Sequence, residues 1–239
     1  LRSAGGGTLF IPAGEYEVRG TLLIPEGVTL CGDWRAPTDE HPEVVGTILK
    51  AYAGRGNANG EAFITMLPNS TVRNLSIWYP EQDPQNIVEY PMTIKMFKAG
   101  NWGADYVHVR NITLVNSFQG IQQGPDGSGC PNIHNVYGTP LMKGVQLDGI
   151  YDVGRFDYIH FAPKYWINSG LPGAPTSKEA REALENYLMS EGIAFNIRQD
   201  DWSYFAFNEI SGYSVGMTFT PSENRPKDSQ GNPTGSDNF

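Results

Sequence analysis

Apolar and polar residues alternate along this chain in short runs, and the runs recur at a set interval. A Gly followed by an apolar alternation stands at Gly120-Ile121, Gly144-Val145, Gly192-Ile193 and Gly216-Met217, at intervals of 24, 48 and 24 residues. A second unit, apolar-x-Asn-apolar, stands at Val72-Arg73-Asn74-Leu75, Val109-Arg110-Asn111-Ile112 and Ile133-His134-Asn135-Val136, and its last two copies are also 24 apart. Units this short cannot bury an apolar face alone, but stacked on their neighbours they share a continuous core, so a period in the twenties predicts a solenoid. Parallel strands joined by crossovers are right-handed. The predicted fold is therefore all-β: a right-handed parallel β-helix, a single-stranded solenoid, with one helical insertion.

Strands are predicted near 8–11, 16–24, 28–31, 46–50, 62–67, 71–77, 92–97 and 106–115, separated by turns such as Pro12-Ala13-Gly14 and Pro25-Glu26-Gly27. The Asn unit continues as Phe156-Asp157-Tyr158-Ile159 and as Phe207-Asn208-Glu209-Ile210, which puts Tyr158 and Glu209 where Asn stood before. Stacked Asn side chains at a corner hydrogen-bond one another and the bent backbone. The Gly expected near residue 167 is delayed to Gly192. The intervening residues open with Thr176-x-x-Glu179, a capping box. Ala180, Ala183, Leu184, Tyr187 and Leu188 follow as one apolar stripe at helical spacing, and Gly192 stops it. The predicted organisation is one β-helix domain over 1–219, with the insertion at 168–191, and a polar loop or tail over 220–239.

Composition agrees with a turn-rich β protein: 28 Gly, 17 Pro, 12% aromatic and only 18% charged residues in 239. The net charge of −9 argues against nucleic acid, which needs a basic face. No apolar run is long enough to span a membrane. The two cysteines, Cys31 and Cys130, have no metal-ligand spacing and read as buried small hydrophobes. The chain opens at Leu1-Arg2-Ser3-Ala4 without an initiator Met, and is expected to be part of a longer protein with further domains and its targeting signal elsewhere.

The opening GGGTLFIPAGEYEV (5–18) and TLLIPEGVTLCGD (21–33) resemble the start of the pectate-lyase-like β-helix domain. That domain is shared by glycoside-hydrolase-28-related proteins and family-55 exo-β-1,3-glucanases. VRNLSI (72–77) and VRNITL (109–114) extend the resemblance to about residue 160. It implies a secreted, carbohydrate-active protein with a sugar groove on the Gly-led sheet. It leaves the activity open, because the superfamily holds hydrolases, lyases, epimerases and phage tailspikes.

Alternation on the Gly-led strands sends Ile121, Val145, Leu147, Ile193, Phe195 and Ile197 inward, and Gln122, Gln146, Asp148, Asn196 and Arg198 outward. Glycoside hydrolysis needs two carboxylates flanking the scissile bond. Asp148 lies on the outward column; Asp200, Asp201 and Glu209 are the further candidates, although the Asn-Thr-Asp, Gly-His-Gly and Arg-Ile-Lys motifs of polygalacturonases are missing. Aromatic rings stack on sugar faces, which makes Tyr165, Trp166, Trp202 and Tyr204, and further off Trp78 and Trp102, candidate substrate platforms. A polysaccharide lyase would instead need a Lys or Arg base, for which Arg198, Arg155 or Lys143 serve. It would also need a cation such as Ca²⁺ against a uronate carboxylate; no metal-ligand spacing is present and no other cofactor is implied. Three functions follow for a polysaccharide or oligosaccharide ligand: a glycoside hydrolase acting through paired carboxylates, a Ca²⁺-dependent lyase, or a non-catalytic glycan-binding or tailspike-like module.

Overall fold

The computed structural model describes residues 2–100, 103–222, 224 and 229–230. Most of the expected tail at 220–239, and Trp102, lie outside the described residues. The strands in chain order are β1 (Gly7–Phe10), β2 (Gly14–Val18), β3 (Leu22–Ile24), β4 (Val28–Cys31), β5 (Thr47–Ala51), β6 (Ile64–Met66), β7 (Thr71–Trp78), β8 (Met92–Met96) and β9 (His108–Leu114). They continue as β10 (Gln119–Gln123), β11 (Asn132–Gly138), β12 (Lys143–Leu147) and β13 (Gly154–Phe161). After helices α1 (Lys164–Ile167) and α2 (Lys178–Glu191) come β14 (Ile193–Ile197), β15 (Ser203–Ala206), β16 (Glu209–Ile210) and β17 (Val215–Phe219).

The fold is all-β and built of two parallel sheets. The first runs β1-β4-β7-β9-β11-β13-β15, with β2, β5 and β16 alongside; the second runs β3-β6-β8-β10-β12-β14-β17. From β6 to β15 the chain alternates between them, one strand in each, so every return adds a layer. The segment read from sequence as one strand over 16–24 is two, β2 and β3, in different sheets, because the chain crosses over at Arg19 and Gly20.

Like residues fall into register along each sheet. Val72, Val109, Ile133 and Phe156 form one fully buried column of the first sheet. Ile64, Ile94, Ile121, Val145 and Phe195 form its counterpart in the second. Each such side chain contributes about 1.5–3 kcal/mol by leaving water, which a single layer could not realise alone.

The first sheet bends at a column of left-handed residues: Asn74 (φ 60°), Asn111 (56°), Asn135 (59°), Tyr158 (54°) and Phe207 (56°). Asn enters this region at little cost. Its amides form a ladder, Asn111 donating to Asn74 Oδ1 at 2.8 Å and Asn135 to Asn111 Oδ1 at 2.8 Å. The bend lets Val72 and Leu75, three apart, both face inward. Phe207, not Glu209, takes the last place in this column, since β13 pairs Asp157 with Ala206 and His160 with Glu209.

Gly192 also departs from its expected place. Lys143 pairs with Ile193 and Val145 with Phe195, so Ala194 lies beside Gly144, and Gly216 follows Ala194. Gly192 is instead the C-cap of α2, its N–H bonded to Leu188 O. The helix starts on Ser177, whose hydroxyl accepts the Ala180 N–H at 3.1 Å; Thr176 does not cap it. Leu184 and Leu188 are fully buried and join the core. Cys31 is buried, whereas Cys130 is only half-buried at a left-handed turn (φ 53°), and both are free thiols.

Candidate functional site: a polar cleft over the second sheet

The outer face of the second sheet carries Lys95, Gln122, Gln146 and Asn196 in one register column. Adjacent parallel strands are about 4.8 Å apart, so a polar side chain recurs at that interval along the stack. Pairing lapses at Thr93, Gly120 and Gly144, and residues on either side of the lapse, three apart, reach the same face. Met92 and Lys95, Gln119 and Gln122, and Lys143 and Gln146 thereby line one cleft of about 240 Å³. At two of these positions only glycine fits: a Cβ on Gly120 would meet the Gly144 carbonyl, and one on Gly144 the Ala194 carbonyl and the Phe161 ring.

The far wall of the cleft is Ala58, Asn59, Gly60 and Ala62. Gln119 ties that wall to the sheet, its Nε2 donating to Ala58 O at 2.8 Å and Tyr90 O at 3.1 Å. Gln122 and Gln146 are 7% and 3% exposed, and Gln146 Oε1 is enclosed without a hydrogen-bond partner among the described residues. Lys95 is half-buried, its Nζ 5.8 Å from the centre of the Phe97 ring. Among the described residues, those lining the cleft include no Asp or Glu.

The same column continues under cover. Asn196 accepts the Thr220 hydroxyl at 2.8 Å, and Asn224 Nδ2 reaches Pro125 O at 2.7 Å, so the segment after β17 turns back across the sheet. Asp148 has no exposed surface and lies 3.9 Å from Arg198 Nη1 through its Oδ2.

The other candidates lie apart from this cleft. Asp200 is bridged to Ile150 and buried, and accepts the Ser203 hydroxyl at 2.7 Å. Burial raises its carboxyl above the usual range, against the lowering by Ser203 and the Trp202 backbone. Asp201, Trp202 (63% exposed), Phe205, Met217 and Phe219 line a hollow of about 340 Å³ at the end of the stack. Met217 and Phe219 continue the inward columns of Phe195 and Ile197, so this hollow lies beside the last layer of the second sheet. Tyr204 is exposed beside it.

Asp148 and Asp201 are therefore not brought to one open cleft: the first is enclosed and the second sits at the end of the stack. Glu209 is exposed on the outer face of the first sheet, its Oε2 3.6 Å from His160 Nδ1. Tyr165 and Trp166, on α1, are buried at 7% and 0% exposure. They do not form open platforms, because α1 packs them inward, Tyr165 edge-on to Tyr137 at 5.6 Å. Trp78 is likewise buried. Sequence reasoning missed Lys95, because β8 carries no glycine at the lapse; the run Met92-Thr93-Ile94-Lys95-Met96 held the alternation that would have aligned Ile94 with Ile121.

Among the described residues no three His, Cys, Asp or Glu side chains cluster as a metal site, and no helix is long and apolar enough to cross a membrane. Compared with known proteins, the chain matches no family model, no curated protein and no solved structure.

Proposed function

We propose that the two sheets are faces of a right-handed parallel β-helix of the pectate-lyase-like kind, and that this carbohydrate-active protein holds a saccharide in the cleft over its second sheet. The observation that carries the reading is the in-register set of amides and ammonium groups on β8, β10 and β12, with an enclosed acceptor, Gln146 Oε1, that has no partner among the described residues. A buried unpartnered acceptor costs about 1–3 kcal/mol, and a sugar hydroxyl would satisfy it. The strand spacing is close to the length of one pyranose unit, so successive layers address successive sugars. A polysaccharide ligand goes with a secreted location. Of the three functions, glycan binding is favoured at this cleft, because the described residues of its lining hold no carboxylate pair for hydrolysis.

One observation favours hydrolysis as a second reading. Asp200 keeps its proton to higher pH than an ordinary carboxyl, as a general acid must, with Asp201 and the exposed Trp202 beside it. The test of both readings is a panel of defined oligosaccharides, measured for binding by calorimetry and for release of reducing ends. Binding lost in Gln146→Ala without turnover supports the cleft reading. Turnover lost in Asp200→Asn and Asp201→Asn supports the second. Turnover with a rise in the ultraviolet absorbance of an unsaturated uronate would replace both with a lyase. Binding unaffected by Gln146→Ala would remove the cleft from consideration.

A further inference from the structure

The outer face of the first sheet is basic on the side that precedes the corner column, in a chain whose net charge is −9. Val72, Val109, Ile133 and Phe156 point inward, so the residues on either side of each point outward. Arg73, Arg110, His134 and Asp157 are register partners in one outer column, and His108, Asn132, Arg155 and Tyr204 in the next. Arg73, Arg110 and Arg155 are exposed, and among the described residues none of them forms an ion pair. The carboxylate in these columns, Asp157, is bonded instead to His134 Nδ1 at 2.9 Å. Arg73 and Arg110 face each other across neighbouring strands, where like charges repel. Arg110 is held by its Nε, which donates to Asn132 Oδ1 at 2.9 Å and leaves the two Nη groups for a ligand.

A single small anion would be held weakly on so open a face, because exposed ion pairs contribute little. Neighbouring strands stand about 4.8 Å apart, so the arginine positions extend over about 14 Å from β7 to β13. The face therefore suits an extended chain that carries several negative charges and lies along the stack. Two guanidinium groups one strand apart can close on one tetrahedral group from both sides, because it offers three oxygens; a planar carboxylate offers two and is satisfied by one fork. Exposed rings stand at the ends of the two columns, Phe10 two strands before Arg73 and Tyr204 one strand after Arg155. A sugar chain meets such rings singly, whereas single-stranded nucleic acid stacks successive bases on them. We propose that the outer face of the first sheet binds a sulfated polysaccharide, with one sulfate group between Arg73 and Arg110, another at Arg155, and a sugar ring on Tyr204. This site is separate from the cleft over the second sheet and does not depend on what that cleft holds.

The experiment is calorimetric titration of the full chain with four probes of equal length: a sulfated oligosaccharide, its desulfated counterpart, an oligogalacturonide and a single-stranded oligodeoxynucleotide. The sulfated probe is expected to bind about tenfold or more tightly than each of the others, and less tightly as salt rises. Arg73→Gln combined with Arg110→Gln is expected to weaken its binding by about tenfold, and Arg155→Gln to weaken it independently. Lys178→Gln, which removes an exposed positive charge on α2, and Gln146→Ala, in the other cleft, are expected to leave it within about twofold. Circular dichroism of each variant separates a folding defect from a binding one. Equal binding of the sulfated and desulfated probes would overturn the site, as would sulfated binding that survives the double substitution. An equal loss in Lys178→Gln would replace it with a general effect of charge, and a loss in Gln146→Ala alone would move the sulfated chain to the cleft. An oligogalacturonide bound as tightly would overturn the preference for a tetrahedral group, and an oligonucleotide bound as tightly would overturn the saccharide. No binding of the sulfated probe would remove this site and leave the cleft over the second sheet to its own test.

Discussion

Tyr158 stacks on Phe207 with ring centroids 5.0 Å apart and planes inclined at 26°. The pair continues the corner column that Asn74, Asn111 and Asn135 begin, and keeps the same left-handed backbone. One column thus changes its chemistry along the stack, from amide hydrogen bonds to ring stacking, without changing its geometry. A left-handed conformation is uncommon for a bulky residue, so at Tyr158 and Phe207 the stacked neighbour must offset what Asn obtains from its amide.

The ladder makes a first prediction at its middle member. Asn111 donates to Asn74 and accepts from Asn135. Asn111→Ala loses both bonds and leaves at φ 56° a residue without the polar side chain that eases Asn into the left-handed region, a combined cost of about 2–4 kcal/mol. Asn111→Gly loses the bonds but not the conformation, and is expected to be about 1 kcal/mol less damaging than Ala. Urea unfolding of the two variants measures the difference; equal values would mean the left-handed backbone carries no cost here.

At the lapse in the second sheet, Gly144→Ala drives a methyl group against the Phe161 ring and the Ala194 carbonyl. Gly216 stands in the same column on β17, and a methyl group there would meet nothing within 4 Å among the described residues. Gly144→Ala is expected to destabilise by about 2 kcal/mol or more, and Gly216→Ala by less than about 0.5 kcal/mol. Thermal denaturation of both variants tests the pair.

Gln123 faces the interior between Met96 and Leu147, with neither amide atom hydrogen-bonded among the described residues. Replacing a buried unpaired amide by an apolar group of similar size removes its desolvation cost. Gln123→Met should stabilise the fold by about 1–2 kcal/mol. A lower midpoint in urea would show that the amide is satisfied after all.

Asp200 sets a pH dependence. Burial raises its carboxyl above the 3.8 of a free aspartate, so between those two values the folded chain holds more protons than the unfolded one. Stability from this group therefore falls as pH rises through that window, and is restored on acidification. Asp200→Asn retains an acceptor for the Ser203 hydroxyl and cannot ionise. It is expected to be the more stable protein at neutral pH, with the advantage shrinking toward pH values below the ordinary aspartate range. A variant that is less stable than the parent at every pH would count against burial as the dominant influence on Asp200.

Much of the architecture is open to a reader of the sequence, because stacking is a local regularity. A strand that alternates with period two shows its inward residues directly, and Val109 and Ile133, or Ile121 and Val145, are assigned to the core by spacing alone. The same regularity puts Gln122, Gln146 and Asn196 in one column. It misleads where a glycine serves a different end: Gly192 keeps the interval to Gly216 but caps a helix, and register follows Ala194 instead. It also places Glu209 two residues away from the true corner at Phe207.

What covers the sheets cannot be read the same way. The cleft exists because Gln119 reaches Ala58, 61 residues away, and its column is closed further on by Asn224, which reaches Pro125 across 99 residues. Contacts at such separations have no period and leave no pattern in the chain. Alternation can tell that Asp148 and Trp166 belong to particular strands and helices, but not that one is sealed beside Arg198 and the other packed out of reach of solvent. The repeating backbone of this protein follows from local alternation and glycine spacing. Which polar residues meet an open cleft, and which are enclosed, is decided by long-range packing, because burial is a property of the whole surface and not of any one strand.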